Sequence, residues 1–333
     1  STQTVVNTKT VNMVTMDKLD KEFVQAIQKD AVAGGKIYGL PLSMDVMAVY
    51  YNKDLMDRGG VPEPPKNWEE FQTAVKKLTR YDKQTGKILQ SGTAIGTGNN
   101  VPGSDDLLYI LFKQSRVDFV SKTGAPLFNT PGKGGESPSV NIMNFYTDFA
   151  NSTRDTYSWN ETMDNALDKF VNGSAVFFFG YNYHNPIIKA RAPQLNYGIL
   201  PMMQLNAEDT PANAATYWLQ TVTEKSKNPD SAWNLIDYLT RSSANKAYLD
   251  ATGRPTALRA YIAEQSEKPE LSPFVSQVLT ADNWYKGNNY DSAKKSVNDM
   301  IHEWLQPAPD PEKAGQYRQE ILNRAVQKIN QTM

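Results

Sequence analysis

Histidine and cysteine, the side chains that most often carry nucleophilic or metal chemistry, are nearly absent from this chain. It has 333 residues with two histidines, His184 and His302, and no cysteine. A His/Cys metal site is therefore excluded by count, and a nucleophile paired with histidine could use only these two positions. Carboxylates are numerous but scattered, and Asp105 and Asp106 are predicted to charge the first turn of a helix rather than to flank a scissile sugar bond. The inventory predicts neither an enzyme nor a bound metal or cofactor.

Aromatic side chains are the positive signal, because the chain contains 17 Tyr and 6 Trp. Sugars present apolar C–H faces that stack on rings, while their hydroxyls need planar polar partners. Tyr181 and Tyr183 follow a predicted strand and Gly180, at the carboxyl end where open α/β sheets bind ligands. Asn99 and Asn100 follow another predicted strand, and their amides could serve a pair of hydroxyls or simply form a turn.

Strand-like and helix-like segments alternate along the chain, which predicts an α/β fold. Two apolar runs, 36–42 and 46–51, are separated by the polar break Ser43-Met44-Asp45. A chain of this length is longer than a single hydrophobic core usually supports, so we expect two domains. The other strands are predicted at 93–97, 175–179, 196–200 and 217–223. Helices are predicted at 17–32, 67–80, 104–116, 139–151, 161–172, 229–241, 243–251, 257–265, 271–281, 290–304 and 311–331.

Several short motifs occur in an order that is typical of one family. They are the polar break with the turn and helix start at 62–70, the helix-turn-strand FVNGSAV at 170–176, the aromatic loop GYNY at 180–183, the strand and SKNP turn within 217–240, and GRPT at 253–256. From about Phe23 to the C-terminus this order resembles the extracellular solute-binding proteins of ABC sugar importers, the maltose-binding-like group.

The resemblance implies a two-lobed periplasmic-binding-protein-like α/β fold whose lobes are joined by a three-crossing hinge. The crossings are expected near 43–46, 220–223 and 284–290. One lobe would then comprise residues 1–44 and 223–285, and the other 45–222 and 286–333. Only about twenty residues precede Phe23, where the family has two or three βα units, so we expect an incomplete N-terminal lobe.

Further site residues follow from the resemblance, because they lie near these crossings. Asp45 is expected at the first crossing, where it could accept sugar hydroxyls, or act as a cap or hinge hydrogen-bond acceptor. Arg254 could reach the cleft or anchor the hinge. Aromatic candidates near the second and third crossings are Tyr217, Trp218, Trp284 and Tyr290.

The function implied is capture of a carbohydrate of oligosaccharide size by a monomer that delivers it to the transmembrane subunits of an ABC permease. Such a protein is expected outside the cytoplasm, anchored by a lipid upstream of Ser1. The formal net charge of -1 gives no basic footprint for nucleic acid. Two alternatives stay open: a binding protein for a peptide or polyamine, and a surface sensor or interaction module that has lost transport.

Overall fold

A computed structural model describes residues 14–132, 137–206 and 208–333. The strands are β1 (Val32–Ala33), β2 (Lys36–Ile37), β3 (Leu40–Pro41), β4 (Asp45–Val46), β5 (Ala48–Asn52), β6 (Arg80–Tyr81), β7 (Ile88–Thr93), β8 (Ala175–Gly180), β9 (Tyr197–Pro201), β10 (Asn213–Thr216), β11 (Leu219–Gln220) and β12 (Ala281–Asp282). The helices are α1 (Met16–Glu22), α2 (Gln25–Ala31), α3 (Lys53–Arg58), α4 (Trp68–Leu78), α5 (Ser104–Gln114), α6 (Ser139–Asp148), α7 (Ala166–Val171), α8 (His184–Arg191), α9 (Pro229–Arg241), α10 (Ser243–Thr252), α11 (Arg259–Ser266), α12 (Ser272–Val275), α13 (Tyr290–Leu305) and α14 (Ala314–Asn330).

The main sheet has five strands in the order β6-β7-β8-β5-β9. Strands β7 and β8 are parallel, whereas β5 runs antiparallel to both β8 and β9. All six residues of β8 are buried, which is why its sequence, AVFFFG, shows no polar alternation. The loop that follows the carboxyl end of β8 contacts β4, because the Asn182 and Tyr183 amides donate to the Asp45 carboxylate.

Aromatic rings fill both faces of β8. Phe177 and Phe179 pack against Phe71 of α4, with ring centroids 5.1 and 5.6 Å away. On the opposite face, Phe178 lies 5.7 Å from both Tyr50 and Phe170. This packing fixes β8 and therefore fixes where its carboxyl end points.

Three short strands from distant parts of the chain form a separate sheet in the order β12-β10-β4. Strand β10 pairs antiparallel with β4 and parallel with β12. Beside it, β3 and β11 form a two-stranded antiparallel pair. Helix α2 contacts β3 and β12, and α9 contacts β3, so this region has its own layers.

Several predicted elements differ from the structure. The helix expected over 271–281 is limited to α12, because residues 281–282 pair in the three-stranded sheet, and the strand expected over 217–223 is limited to β11, since β10 ends at Thr216 in a different sheet. The helix expected over 17–32 ends at Glu22 and restarts at Gln25, because Phe23 bridges to Leu258 and the Val24 amide donates to the Ala257 carbonyl over 3.0 Å. The strand expected over 93–97 lies instead at 88–93. Beyond it the chain turns at Gly96, whose φ of 106° is a conformation that favours glycine.

Helix α9 has an uncovered apolar face. Leu235 and Tyr238 are each 57% exposed, and Leu239 is 37% exposed. Its sequence has the strong helical periodicity of a half-buried helix, so one of its apolar faces has no neighbour among the described residues. Residues 1–13, which belong to the lobe predicted to be incomplete, lie outside the described part of the chain.

Candidate ligand-binding cleft

A cavity of about 300 Å³ lies where the three-stranded sheet meets the loop between β8 and α8. Five of the predicted site residues line it: Asp45, Tyr183, Tyr217, Trp218 and Arg254. The remaining lining residues are Leu42, Ser43, Thr216, Gln220 and Tyr248. Its volume lies at the lower end of the range for small-molecule sites, and it combines rings with a few polar groups.

Trp218 is the most exposed large hydrophobic side chain among the described residues, at 85%. It lies between β10 and β11, so short strands on both sides hold its backbone. Its neighbour Tyr217 is half-buried, and the Tyr217 hydroxyl donates to the Asp30 carboxylate and to the Ala26 carbonyl. Trp218 therefore offers an open ring face at the cavity, whereas Tyr217 is tied to α2.

The Asp45 carboxylate is 8% exposed and accepts three backbone hydrogen bonds. Its Oδ1 accepts from the Val46 and Asn182 amides, each over 2.9 Å, and its Oδ2 accepts from the Tyr183 amide over 3.1 Å. Burial raises the pKa of Asp45 to about 7, although these hydrogen bonds and the charge of Arg254 oppose the rise. Asp45 thus joins β4 to the loop at 181–183 while also lining the cavity.

The loop at 181–183, here called the aromatic loop, is held from several sides. Tyr50 donates to the Tyr181 carbonyl over 2.7 Å, and the Tyr181 amide donates to His184 Nδ1 over 3.0 Å. The rings of Tyr181 and Tyr183 are nearly parallel, at 14°, with centroids 5.7 Å apart. Tyr181 is buried and Tyr183 is 41% exposed, so only Tyr183 presents its ring to the cavity.

His184 is buried rather than placed at a polar rim. Burial lowers its pKa to about 4, and the neutral ring accepts the Tyr181 amide. His302 of α13 has a half-exposed side chain, and its Nδ1 lies 2.7 Å from Glu161 Oε1. Among the described residues there is no cluster of three or more side chains that could hold a metal ion.

Trp284 and Tyr290 lie behind the aromatic loop. Trp284 is 1% exposed, with its ring packed edge-on against Phe119. Its Nε1 donates to Asp106, and the Tyr290 hydroxyl donates to Asp105. Tyr290 keeps 38% of its surface exposed. Of these two candidates, therefore, only Tyr290 has a ring that a ligand could reach in this conformation.

The two asparagine candidates lie apart from the cavity. Asn100 Nδ2 donates to the Asn160 and Met163 carbonyls, each over 3.0 Å. Its Oδ1 accepts from Thr97 and from Trp159 Nε1, so both ends of its amide are occupied. Asn99, in the same turn, is exposed. Trp159, which supplies one of these donors, is completely buried.

Comparison with known proteins agrees with this architecture. The family of bacterial extracellular solute-binding proteins matches residues 2–273 of the chain. The chain belongs to this family. A putative binding protein of Brucella abortus is 26% identical over 225 residues, covering 67% of this chain and 51% of that protein. The multiple sugar-binding protein of Streptococcus mutans is 24% identical over 269 residues, covering 77% and 60%.

Solved structures show the two-lobed fold. A cyclo/maltodextrin-binding protein complexed with maltotetraose matches 95% of this chain and 75% of its own, with a TM-score of 0.74 and 17% identity. The cyclic α-maltosyl-1,6-maltose binding protein from Arthrobacter globiformis matches 96% and 80%, with a TM-score of 0.73 and 18% identity. The predicted α/β fold of the solute-binding family is thereby confirmed. The chain spans about half the length of the first curated relatives that it matches.

Sequence reasoning missed several residues of this solute-binding protein's cavity and its surroundings. Tyr248 lies within α10, where nothing in the pattern separates it from a packing residue. Gln220 lies opposite Leu40 in the β3–β11 pair. Asp105 and Asp106 do lie in the first turn of α5, as predicted, but the tyrosine and tryptophan donors that reach them could not be read from the chain order.

Proposed function

We propose that this solute-binding protein captures a carbohydrate, an oligosaccharide in particular, between its lobes and delivers it to the permease subunits of an ABC importer. The observation that carries the proposal is the pairing, in one cavity, of the open Trp218 ring with polar groups from Asp45, Gln220 and Arg254. The ring can stack on the apolar face of a sugar. A ligand that covers Gln220 and Arg254 must supply hydrogen-bond partners, as sugar hydroxyls do, because a buried polar group left without a partner costs about 1–3 kcal/mol.

The sheet β12-β10-β4 is proposed as the hinge. Its strands lie at or within several residues of the three predicted crossings, and short crossings that lie side by side can rotate a few backbone dihedrals to close a cleft. The lobes would then be 1–44 with 223–285, and 45–222 with 286–333. Ligand would shift the equilibrium toward the closed form by its greater affinity for that form.

The relatives support a sugar, since one is a multiple sugar-binding protein and several matching structures contain oligosaccharides. A polyamine is less well served, because the cavity lining includes one carboxylate, Asp45, and one guanidinium, Arg254. Asp45 also has its oxygens engaged by backbone amides. A cationic ligand would need several unengaged carboxylates.

The family description is of extracellular proteins, and none of the described helices is long and apolar enough to span a membrane. We propose that the protein works outside the cytoplasm and performs no chemistry on its ligand. Lipid anchoring and the monomeric state stay predictions.

A thermal-shift panel followed by titration calorimetry tests the ligand class. The panel contains mono- and oligosaccharides, a short uncharged peptide and spermidine. We expect at least one carbohydrate to raise the melting temperature and the other two classes to leave it unchanged. Stabilisation by spermidine or peptide alone would overturn the sugar assignment. Stabilisation by none of them would favour a sensor or interaction module.

A further inference from the structure

Two adjacent carboxylates at the start of α5 lie behind the aromatic loop. The helix begins directly after Gly103, whose φ of 71° favours glycine. A Cβ there would also lie 2.9 Å from Met47 Cε. This turn places Asp105 and Asp106 in the first helical turn, where the helix dipole stabilises negative charge.

Asp106 binds two aromatic residues from different parts of the chain. Its Oδ2 accepts from the Tyr181 hydroxyl over 2.6 Å, and its Oδ1 accepts from Trp284 Nε1 over 3.2 Å. The side chain is 8% exposed. Asp106 therefore links α5 to the aromatic loop and to the segment that follows β12.

Asp105 reaches a third element. Its Oδ2 accepts from the Tyr290 hydroxyl of α13 over 2.8 Å. Its Oδ1 is buried without a hydrogen-bond partner among the described residues, and the nearest cation, Lys294 Nζ, is 3.8 Å away. A buried carboxylate oxygen in this state is costly, which points to a requirement other than stability.

Each of the two acids is connected, directly or through a buried ring, to one exposed tyrosine ring. Tyr181 stacks on Tyr183, which lines the cavity and is 41% exposed. Trp284 lies 6.2 Å, centroid to centroid, from Tyr290, which is 38% exposed. The two exposed rings are thus supported from beneath by the same pair of acids.

We propose that Asp105 and Asp106 are positioning residues for the ligand, holding the exposed rings of Tyr183 and Tyr290 as two stacking surfaces on one side of the cleft. Asp106 acts on Tyr183 through Tyr181, and Asp105 holds Tyr290 directly. The inference rests on the proposed carbohydrate function. It adds Tyr290 and the acid pair to a site whose cavity reaches only as far as Tyr183.

The charge of the pair makes the proposal testable by pH. The groups that face Asp106 are Asp105 and Tyr109 of α5, Tyr181 and Tyr183 of the aromatic loop, and Tyr290 and Lys294 of α13. Burial, and then the charge of Asp105, raise the pKa of Asp106 to about 8, so it is mostly protonated at pH 7. Above pH 8 a second negative charge appears beside the first, and the two repel each other beneath the rings.

The experiment measures the dissociation constant for the best carbohydrate of the panel by calorimetry at pH 7 and pH 9. The wild type should bind at least about threefold more weakly at pH 9, because repulsion within the pair disturbs the rings. Asp106→Asn keeps an acceptor oxygen and cannot ionise, so whatever its affinity at pH 7, the ratio of its dissociation constants at pH 9 and pH 7 should be at least about threefold smaller than the wild-type ratio. The ionisation of Asp45, whose pKa is raised to about 7, is common to both proteins and cancels in this comparison. Asp57→Asn, on the exposed surface of α3, is the matched control and should retain the wild-type profile.

A second readout needs no ligand. The indole N–H resonance of Trp284, assigned with Trp284→Phe, should shift with a midpoint near pH 8 in the wild type and not in Asp106→Asn. An Asp106→Asn protein that keeps the wild-type fall in affinity would overturn the positioning role. So would an indole resonance that does not titrate. A wild type that shifts its indole signal but binds no carbohydrate would instead overturn the proposed function, and the positioning role with it.

Discussion

Replacing Trp218 with alanine is the sharpest test of the cleft. A fully covered tryptophan hides about 150–250 Å², and a sugar lying on one face would cover roughly a third of it, about 70 Å². At about 25 cal/mol per Å² this corresponds to about 1.8 kcal/mol. Since about 1.4 kcal/mol is a factor of ten, we expect the dissociation constant of the best carbohydrate to rise roughly 20-fold.

The same change should leave the fold almost untouched, because Trp218 is 85% exposed. We expect the free energy of unfolding in urea to change by less than about 0.5 kcal/mol. Tyr38 is a matched control, since it is 55% exposed and does not line the cavity. Tyr38→Ala should bind as the wild type does. Calorimetric titration gives the affinities, and Trp218→Tyr should recover part of the loss.

Two results would refute the reasoning. If Trp218→Ala binds as tightly as the wild type, the ring does not stack on the ligand. If the affinity falls but Tyr38→Ala shows the same fall, the loss reflects a general effect on the lobe rather than the cleft.

Three other predictions concern the residues around the cavity. Asp45→Ala removes the acceptor of three backbone amides and should lower the free energy of unfolding by more than about 3 kcal/mol in urea melts. Asp45→Asn keeps one acceptor oxygen and should lower it less. Equal losses would contradict the view that Asp45 acts as a clamp between β4 and the aromatic loop. Burial lowers the pKa of His184 to about 4, so the folded state excludes a proton that the unfolded chain binds below about pH 6.5. The free energy of unfolding should therefore fall by up to about 3 kcal/mol, relative to His184→Asn, as the pH is lowered from about 6.5 to about 4. Parallel curves of stability against pH for the two proteins would exclude this linkage. Asn100→Ala should cost about 2–4 kcal/mol of stability yet change sugar affinity less than twofold, because its amide bonds the segment at 159–163 and does not line the cavity. A tenfold loss of affinity would place it in the cleft after all.

Local signals in the sequence were sufficient for several elements. The helix start predicted at 62–70 contains Asn67, a residue type that favours the N-cap, and its side chain accepts the Glu70 amide over 2.9 Å. The continuous apolar run at 175–179 became the buried central strand β8. Local signals were insufficient where a distant partner decided the outcome, as at Phe23 and Val24, whose pairing with Leu258 and Ala257 interrupts a helix that the periodicity predicted to be continuous.

The candidate site residues show the same difference between local signals and distant partners. Trp218 and Tyr183 lie at strand ends, where sheet geometry alone predicts exposure toward a ligand, and both line the cavity. Asn100 had the same kind of position, but its amide is satisfied by carbonyls about sixty residues away. Asp106 looked like an ordinary first-turn acid until its partners, 75 and 178 residues away, were brought beside it.

The sequence by itself determined the inventory: alternating strand-like and helix-like segments, many rings, no cysteine, and only two histidines, which exclude a His/Cys metal site by count. These properties depend on composition and on local periodicity, which act over a few residues. Only the tertiary structure decided which rings stay open, which acids are buried, and which polar groups are already satisfied. Burial and hydrogen bonding join groups that are far apart in the chain, so the same aspartate can be a surface charge, a clamp or a support for a binding surface.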